Sequence, residues 1–278
     1  MITQSVIMAV LIGIVITGVI PFIGGIVLLV SGKIRGTSFW AGVLAFIIAM
    51  IATAIVGAIL AIPLMNMIQT NPMMFNAISM VITGVCMALA MGICIGACMK
   101  RNNFNGALSC GLGFGTGYSV TVAIGLISTY ATAAMINSGQ FDAMYSAALD
   151  QGVITKEQLY ELKSQFIELT TQDVIAQTVA TIGLAAAMVG CAVFIMRGKC
   201  SKNLALGIIS SVIIISIDGI ASMIPNPAAA AVLPAAIGIA ALIFAFRMKD
   251  KVVQEQKPAV TDSFLESIEK VQNDQEQD

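Results

Sequence analysis

Asp218 is the one ionisable side chain that lies well inside an apolar stretch of this sequence. An ionised aspartate at the centre of a membrane-spanning helix costs about 2.5 to 3.5 kcal/mol, so such a residue normally faces the protein interior with a partner or stays protonated. A carboxyl group in that position could bind an ion or carry a proton. Asp218 also lies about two helical turns before Pro225, which leaves the alternative of a hydrated carboxylate near the membrane surface.

Six cysteines supply the other reactive groups. Cys94 and Cys98 are four residues apart, which places them on one helical face. Three more thiols lie at a similar predicted depth: Cys110, Cys191 and Cys200. Such a set could hold a soft metal ion. However, no CxxC pair occurs, and cysteine commonly packs as a small apolar side chain, so the sequence predicts packing residues and neither a metal site nor another cofactor.

Histidine is absent, which removes the commonest general base and metal ligand of proteins. A zinc site or a catalytic triad that depends on histidine is therefore excluded. Uncharged polar side chains in the apolar segments are the remaining candidates to line a binding site with Asp218. These candidates are Thr116, Tyr118, Gln177 and Ser211.

The composition predicts an all-α membrane protein with several spans. Of the 278 residues, 58% are hydrophobic and 10% are charged, whereas about 25% of a soluble domain is charged. Seven apolar stretches approach the roughly 20 residues that cross a bilayer as a helix. They are Ser5–Val30, Ser38–Pro63, Phe75–Met99, Ala107–Ile136, Asp173–Met196, Leu204–Ile224 and Ala228–Phe246. Residues 1–250 are thus predicted to form a helical bundle in a lipid bilayer, and nothing in the charge pattern indicates nucleic-acid binding.

Basic residues set the predicted orientation of this bundle. They follow the first, third, fifth and seventh spans, at residues 33–35, 100–101, 197–202 and 247–251. Because cytoplasmic loops carry the excess of Lys and Arg, this pattern predicts an N-terminus outside and a C-terminus in the cytoplasm. An odd number of spans is needed to satisfy it.

The stretch from Lys100 to Ile124 is unusually rich in glycine. Gly111 and Gly115 form one GxxxG pair, and Gly113 and Gly117 form a second, overlapping pair. Small residues in a membrane-spanning helix let neighbouring helices approach closely, so the pattern predicts tight helix contacts. A nucleotide-binding loop is disfavoured because no strand precedes the glycines and no acidic residue follows at the required distance.

Two polar segments lie outside the predicted spans. Residues 137–172, on the predicted outer side, should contain a helix, since Thr155 can cap it with Gln158 as the capping-box partner. We interpret this segment as a connector on the outer surface, with a lid or a substrate-docking element as the alternative. The acidic tail, residues 251–278, is predicted to be disordered or to form a short amphipathic helix that docks to a soluble partner.

Several stretches, in this order, resemble a known membrane family. Pro21–Ile23 precedes the first basic turn, Phe39–Gly42 opens the second span, and KRNNFNGALSCGLGFG joins a basic turn to the glycine-rich helix. The helical outer loop and the basic turn before NLALGIISS follow. In this arrangement the chain is similar to the YhfC-type intramembrane proteases over most of residues 14–251. The resemblance implies that family's helical membrane fold.

The resemblance does not extend to the side chains that would cut a peptide bond. The family's His, Glu and Arg positions fall on or near Phe114, Tyr118, Met87, Ala88, Met91, Ala185 and Ser211. Peptide hydrolysis needs a base or a metal ion to generate the nucleophile and a group that stabilises the oxyanion. The residues at these positions provide neither, so the resemblance implies a member without an intact catalytic set.

The leading hypothesis is therefore an inactive member of that fold, which binds a partner in the membrane, such as a transmembrane segment, without cutting it. A carrier of small molecules or ions that uses Asp218 is the alternative, and residual proteolysis through Asp218 is a second one. The predicted location is a cell membrane, as a multi-pass protein of a bacterial plasma membrane. The oligomeric state is left open.

Overall fold

The computed structural model is all-helical in the part of the chain that it describes, residues 1–61, 72–98, 104–151, 153–221, 224 and 226–249. The α-helices of that part are α1 (Gln4–Ile14), α2 (Ile20–Val30), α3 (Gly36–Ala61), α4 (Pro72–Ile93), α5 (Phe104–Asn137), α6 (Gln140–Asp150), α7 (Lys156–Ile167), α8 (Thr171–Cys200), α9 (Leu204–Ala221) and α10 (Pro227–Arg247). A π-helical turn at Val15–Val19 joins α1 to α2, and a second one at Cys94–Cys98 extends α4. The acidic tail and the basic turn at residues 100–101 lie outside the described residues.

Within those ranges, six helical stretches are long and apolar enough to cross a membrane. They are Gln4–Val30, Gly36–Leu60, Ile78–Gly96, Phe104–Asn137, Thr171–Cys200 and Pro227–Arg247. Helix α9 has a shorter apolar stretch, Leu204–Ile217. The prediction of an all-α protein with several membrane-compatible helices is confirmed for six of its seven spans.

Helix α8 occupies the centre of the bundle and packs against α5, α9 and α10. Every residue from Ala187 to Val193 is buried, as expected for a helix that is surrounded by other helices. Small residues set the spacing: a Cβ atom at Gly190 would lie 2.8 Å from the Cβ of Ala241 on α10, and one at Gly207 on α9 would lie 2.8 Å from the Cα of Ile195. Close van der Waals contact of this kind drives helix association where lipid replaces water.

The first span is one continuous helical rod with a π-helical turn in its middle. Pro21 follows that turn; a proline has no N–H group, and its ring crowds the carbonyl group four residues earlier. A π-helical turn relieves such crowding by inserting one extra residue per turn. The Thr17 hydroxyl in this turn donates a hydrogen bond of 2.8 Å to the Gly13 carbonyl oxygen.

The segment between α5 and α8 contains two helices, α6 and α7. The predicted capping box is confirmed: the Gln158 N–H donates to the Thr155 hydroxyl at 3.2 Å, and the Thr155 N–H donates to the Gln158 side-chain oxygen at 2.9 Å. An ion pair of 2.8 Å between Lys163 and Asp142 links α7 to α6. Leu159 is buried in one apolar cluster with residues of α1 and α5, so the two helices cover that end of the bundle.

Candidate functional site

The glycine-rich half of α5 is enclosed between α3 and α8. Gly111 and Gly115 face α8: a Cβ atom at Gly111 would lie 2.7 Å from the Cα of Val189, and one at Gly115 would lie 2.8 Å from the carbonyl oxygen of Ala185. Distances this short leave no room for any side chain. Helices α5 and α8 therefore touch through their backbones along this face.

Gly113 and Gly117 face α3 instead, because residues two apart on a helix with 3.6 residues per turn point to nearly opposite sides. A Cβ atom at Gly113 would overlap the carbonyl group of Phe39, and one at Gly117 would lie 2.8 Å from the ring of Phe46. On α3, Gly42 is pressed in the same way against the carbonyl group of Cys110. One GxxxG pair thus packs against α8 and the other against α3, which confirms the predicted tight helix contacts.

The positions to which the resemblance assigns catalytic groups on α5 and α4 are packed with apolar side chains. Phe114 is fully buried and meets the ring of Phe46 edge to face, with 5.4 Å between the ring centroids. Tyr118 is half-buried and meets the same ring at 6.4 Å. On α4 the corresponding residues are buried in the same core cluster; they are Met87, Ala88 and Met91.

The last two positions of that set also serve the packing. Ala185 is half-buried, and its carbonyl group lies against Gly115. Ser211 on α9 is fully buried, and its hydroxyl group lies 2.9 Å from the Gly207 carbonyl oxygen and 3.4 Å from that of Cys191 on α8. Its hydroxyl group also contacts the Cys191 thiol group, so Ser211 joins α8 to α9 through two carbonyl groups and one thiol. No family model, curated protein or solved structure matches this chain, so the resemblance stays a prediction.

The predicted lining residues do not share one cavity where their side chains are described. Thr116 lies beside α2, Tyr118 packs on α3, and Ser211 is enclosed between α8 and α9. Gln177 is exposed in a separate depression near the start of α8. Asp218 belongs to α9, but its side chain lies outside the described part, so its proposed role stays a prediction.

The buried thiols contribute to the same core. The sulfur atoms of Cys94 and Cys110 are 3.7 Å apart, and Cys94 also contacts the carbonyl oxygen of Ala41 at 3.4 Å. Cys191 is buried in the same cluster. Within the described ranges, three or more metal-ligating side chains do not come together. The arrangement fits the interpretation of these cysteines as packing residues.

Two crevices beside α2 were not indicated by the sequence. The first, which we call the α2–α3 crevice, has a volume of about 310 Å³ and is lined mainly by apolar side chains. Its lining includes Phe22, Trp40, Ile47, Thr116, Thr121 and Ile124. The second, the α2–α8 crevice, has a volume of about 350 Å³ and lies on the other side of α2, where it is lined by Gly24, Gly25, Gly115, Thr116, Ser119 and Ala185. Thr116 therefore lies at the junction of the two.

Helix α2 lacks amphipathic periodicity because both of its sides are apolar, so the sequence could not indicate which side would be left open. The sequence signals near the crevices were Thr116, a predicted lining residue that borders both of them, and the pair Gly113 and Gly117, which marks where α3 approaches α5. The residues missed by sequence reasoning are thus those of α2 and α3 that border the open space, above all Phe22 and Trp40.

Proposed function

We propose that this protein is an integral membrane protein without proteolytic activity, and that it binds a transmembrane helix of another protein in the α2–α3 crevice. The observation that carries the proposal is the contrast along α5 between Phe114, which is sealed in the core, and Thr116, which borders open space. At the centre of the bundle, the positions to which the resemblance assigns catalytic groups hold residues that cannot activate water. Beside that centre, the α2–α3 crevice has space for a ligand.

The shape and chemistry of the crevice favour a helix as its occupant. Phe22 and Trp40 are 50% and 56% exposed, so two large apolar side chains are available to contact a partner. Thr116 and Gly117 form the side of the crevice that belongs to α5, and small residues at such a position allow a helix backbone to approach. The Thr116 hydroxyl makes no hydrogen bond to the residues that the structure describes, so it can pair with a polar group of the partner.

In the proposed topology α9 also crosses the membrane, as the sixth of seven spans, so that the N-terminus lies outside and the C-terminus is cytoplasmic, in a bacterial plasma membrane. Basic residues near the ends of α8 and α10, namely Arg197, Lys199, Arg247 and Lys249, support this orientation by the positive-inside rule. The resemblance to YhfC-type proteases, with the catalytic positions substituted, is the family relationship that we propose.

Site-specific photo-crosslinking tests the binding site. A photoreactive phenylalanine analogue replaces Thr121, which is exposed and borders the crevice, or Ile239, which is exposed on α10. We expect the Thr121 probe to capture one membrane protein at its full length, with the crosslinked peptide lying in a transmembrane segment, and the Ile239 probe to capture none. The Val120→Trp substitution should fill the crevice and abolish the adduct.

Three outcomes would contradict the proposal. Equal adducts from both probe positions would indicate random contact in the membrane. An adduct that persists in Val120→Trp would place the partner elsewhere. A captured partner that is found cleaved next to the crosslink would show that proteolysis persists.

A further inference from the structure

A third cavity lies between α8, α9 and α10, where their basic ends meet. It has a volume of about 570 Å³ and differs from the α2 crevices in that it combines a cation with apolar walls. Arg197, Ser201 and Met248 line it near the helix ends. Ile213 and Phe244 line it further along α9 and α10, toward the middle of the proposed spans. The cavity is therefore polar at one end and apolar along the rest of its length.

The polar end is electropositive. One nitrogen of the Arg197 guanidinium group, Nη1, donates to the sulfur atom of Met248 at 3.1 Å, and a thioether is only a weak acceptor. Among the described residues no carboxylate pairs with Arg197. Lys202, Arg247 and Lys249 are exposed and immediately adjoin lining residues in the chain, so they add positive charge around the opening.

The start of α9 strengthens this potential. Leu206 and Gly207 line the cavity within the first turn of α9, the end at which the helix dipole carries a partial positive charge. The ends of α8 and α10 carry the opposite partial charge, but Arg197 and Arg247 lie in the last turns of those helices and offset it. A negatively charged group is the complement of this end.

A small anion alone would leave the apolar walls of the cavity uncovered, so the ligand also needs a hydrocarbon part. The rings of Phe194 and Phe244 lie 5.8 Å apart between their centroids, and Phe244 and Ile213 are exposed on the face that a bilayer would cover. A hydrocarbon chain that lies along these side chains would cover them without breaking any hydrogen bond. The anion and the chain must belong to one molecule if both parts of the cavity are to be filled together.

We propose that this cavity is a binding site for an anionic phospholipid. Its phosphate group binds the Arg197 guanidinium group and the Ser201 hydroxyl group, which exchanges its long hydrogen bond of 3.3 Å to the Gly198 carbonyl oxygen for one to the phosphate. One acyl chain lies along Ile213 and Phe244. Basic residues between transmembrane helices on the cytoplasmic side suit phosphate head groups, because the guanidinium fork forms charge-assisted hydrogen bonds with phosphate oxygens at the depth where lipid phosphates lie. A zwitterionic lipid would bring its own ammonium group to an end that is already positive.

Native mass spectrometry of the full chain tests this site directly. The protein is delipidated in detergent and titrated with phosphatidylglycerol, phosphatidylcholine or inorganic phosphate, and the bound lipid is counted. We expect one phosphatidylglycerol to be retained with at least about tenfold higher affinity than phosphatidylcholine, and no retention of inorganic phosphate. Arg197→Gln should weaken the phosphatidylglycerol site about tenfold, the loss expected for a charge-assisted hydrogen bond.

Matched variants separate this site from general attraction to basic protein. Arg35→Gln removes an exposed positive charge at another helix end and should leave lipid retention unchanged. Ile213→Trp keeps every charge but fills the apolar part, and it should also remove the bound lipid.

Equal retention of phosphatidylglycerol by the wild type and Arg197→Gln would overturn the proposal, as would an equal loss in Arg35→Gln. Binding of inorganic phosphate as strong as that of the lipid would reduce the site to a simple anion site. If Arg197→Gln fails to fold, unchanged retention by Ile213→Trp would still contradict it.

Discussion

The first half of α5 and the short helix α2 lie side by side but pack in opposite ways. From Gly111 to Gly115, α5 is held between two helices at backbone contact, and Phe114 is inaccessible. In α2, by contrast, Gly25 is the buried residue, most of the large side chains are exposed, and a crevice lies on each side. The contrast is sharp because both helices are apolar and rich in small residues.

The comparison teaches that small residues can have two uses in one membrane bundle. On α5 three glycines, Gly111, Gly113 and Gly115, each lie against the backbone of a neighbouring helix, which leaves no free space there. On α2 a Cβ atom at Gly24 would meet nothing within 4 Å, so that glycine leaves space open. This part of the bundle centre is therefore closely packed, and open space lies beside α2.

Adding a side chain at Gly113 should have the largest effect on the α5 core. In Gly113→Val the new Cβ atom would overlap the Phe39 carbonyl group, and neither backbone can move without separating α3 from α5. Overpacking of a dense core costs about 1 to 3 kcal/mol where side chains can adjust, but only backbone atoms surround Gly113, so we expect a loss beyond the roughly 3 to 5 kcal/mol of a core Phe→Ala substitution. We expect a loss of monodisperse protein in detergent or a clear fall in its unfolding temperature, measured by size-exclusion chromatography and thermal unfolding.

Gly125→Val on the same helix is the control, since a Cβ atom there would meet nothing within 4 Å. It should leave the chromatographic profile and the unfolding temperature nearly unchanged. If both variants behave alike, the glycine contacts do not organise the bundle, and the comparison between α5 and α2 fails.

Removing the ring of Phe46 should have the next largest effect. This side chain meets both Phe114 and Tyr118 and also borders the α2–α3 crevice, so it is the wall between the core and the open space. Phe→Ala in a core costs about 3 to 5 kcal/mol in soluble proteins. We expect Phe46→Ala to lower the unfolding temperature, but less than Gly113→Val, because the core can relax into the adjoining crevice.

The control on the same helix is Ile48→Ala, which removes an exposed side chain of α3. A fall in the unfolding temperature as large as that of Phe46→Ala would mean that exposed positions of α3 also carry stability. That result would remove the distinction between the sealed and the open side of the bundle.

Local signals predicted much of the fold. The run of apolar residues from Ala107 to Ile136 lies within α5, and the Thr155 capping box begins α7 as expected, because both depend on neighbouring residues in the chain. The π-helical turn at Val15–Val19 was not predicted. Its formation depends on the conflict between Pro21 and the preceding turn, which apolar composition does not register.

The open spaces could not be predicted for a physical reason. In water an amphipathic stripe identifies the buried face of a helix, but a helix in lipid is apolar on all sides, so its sequence carries little information about which face meets protein. Only the glycines, which need close neighbours, and Asp218, which needs a partner or a proton, stood out. The glycine contacts are present in the structure. The side chain of Asp218 lies outside the described part, so its role in binding stays a prediction.

The smallest effect on stability is expected at Phe22, and it isolates binding from folding. Phe22 is as large as Phe46, but it is half exposed on α2 and borders the α2–α3 crevice. Exposed positions away from packed contacts usually change stability by less than about 0.5 kcal/mol. Phe22→Ala should therefore unfold at nearly the wild-type temperature and yet weaken the photo-crosslink from position 121. Normal crosslinking in this variant would remove α2 from the binding surface, whereas a large fall in unfolding temperature would show that α2 belongs to the packed core.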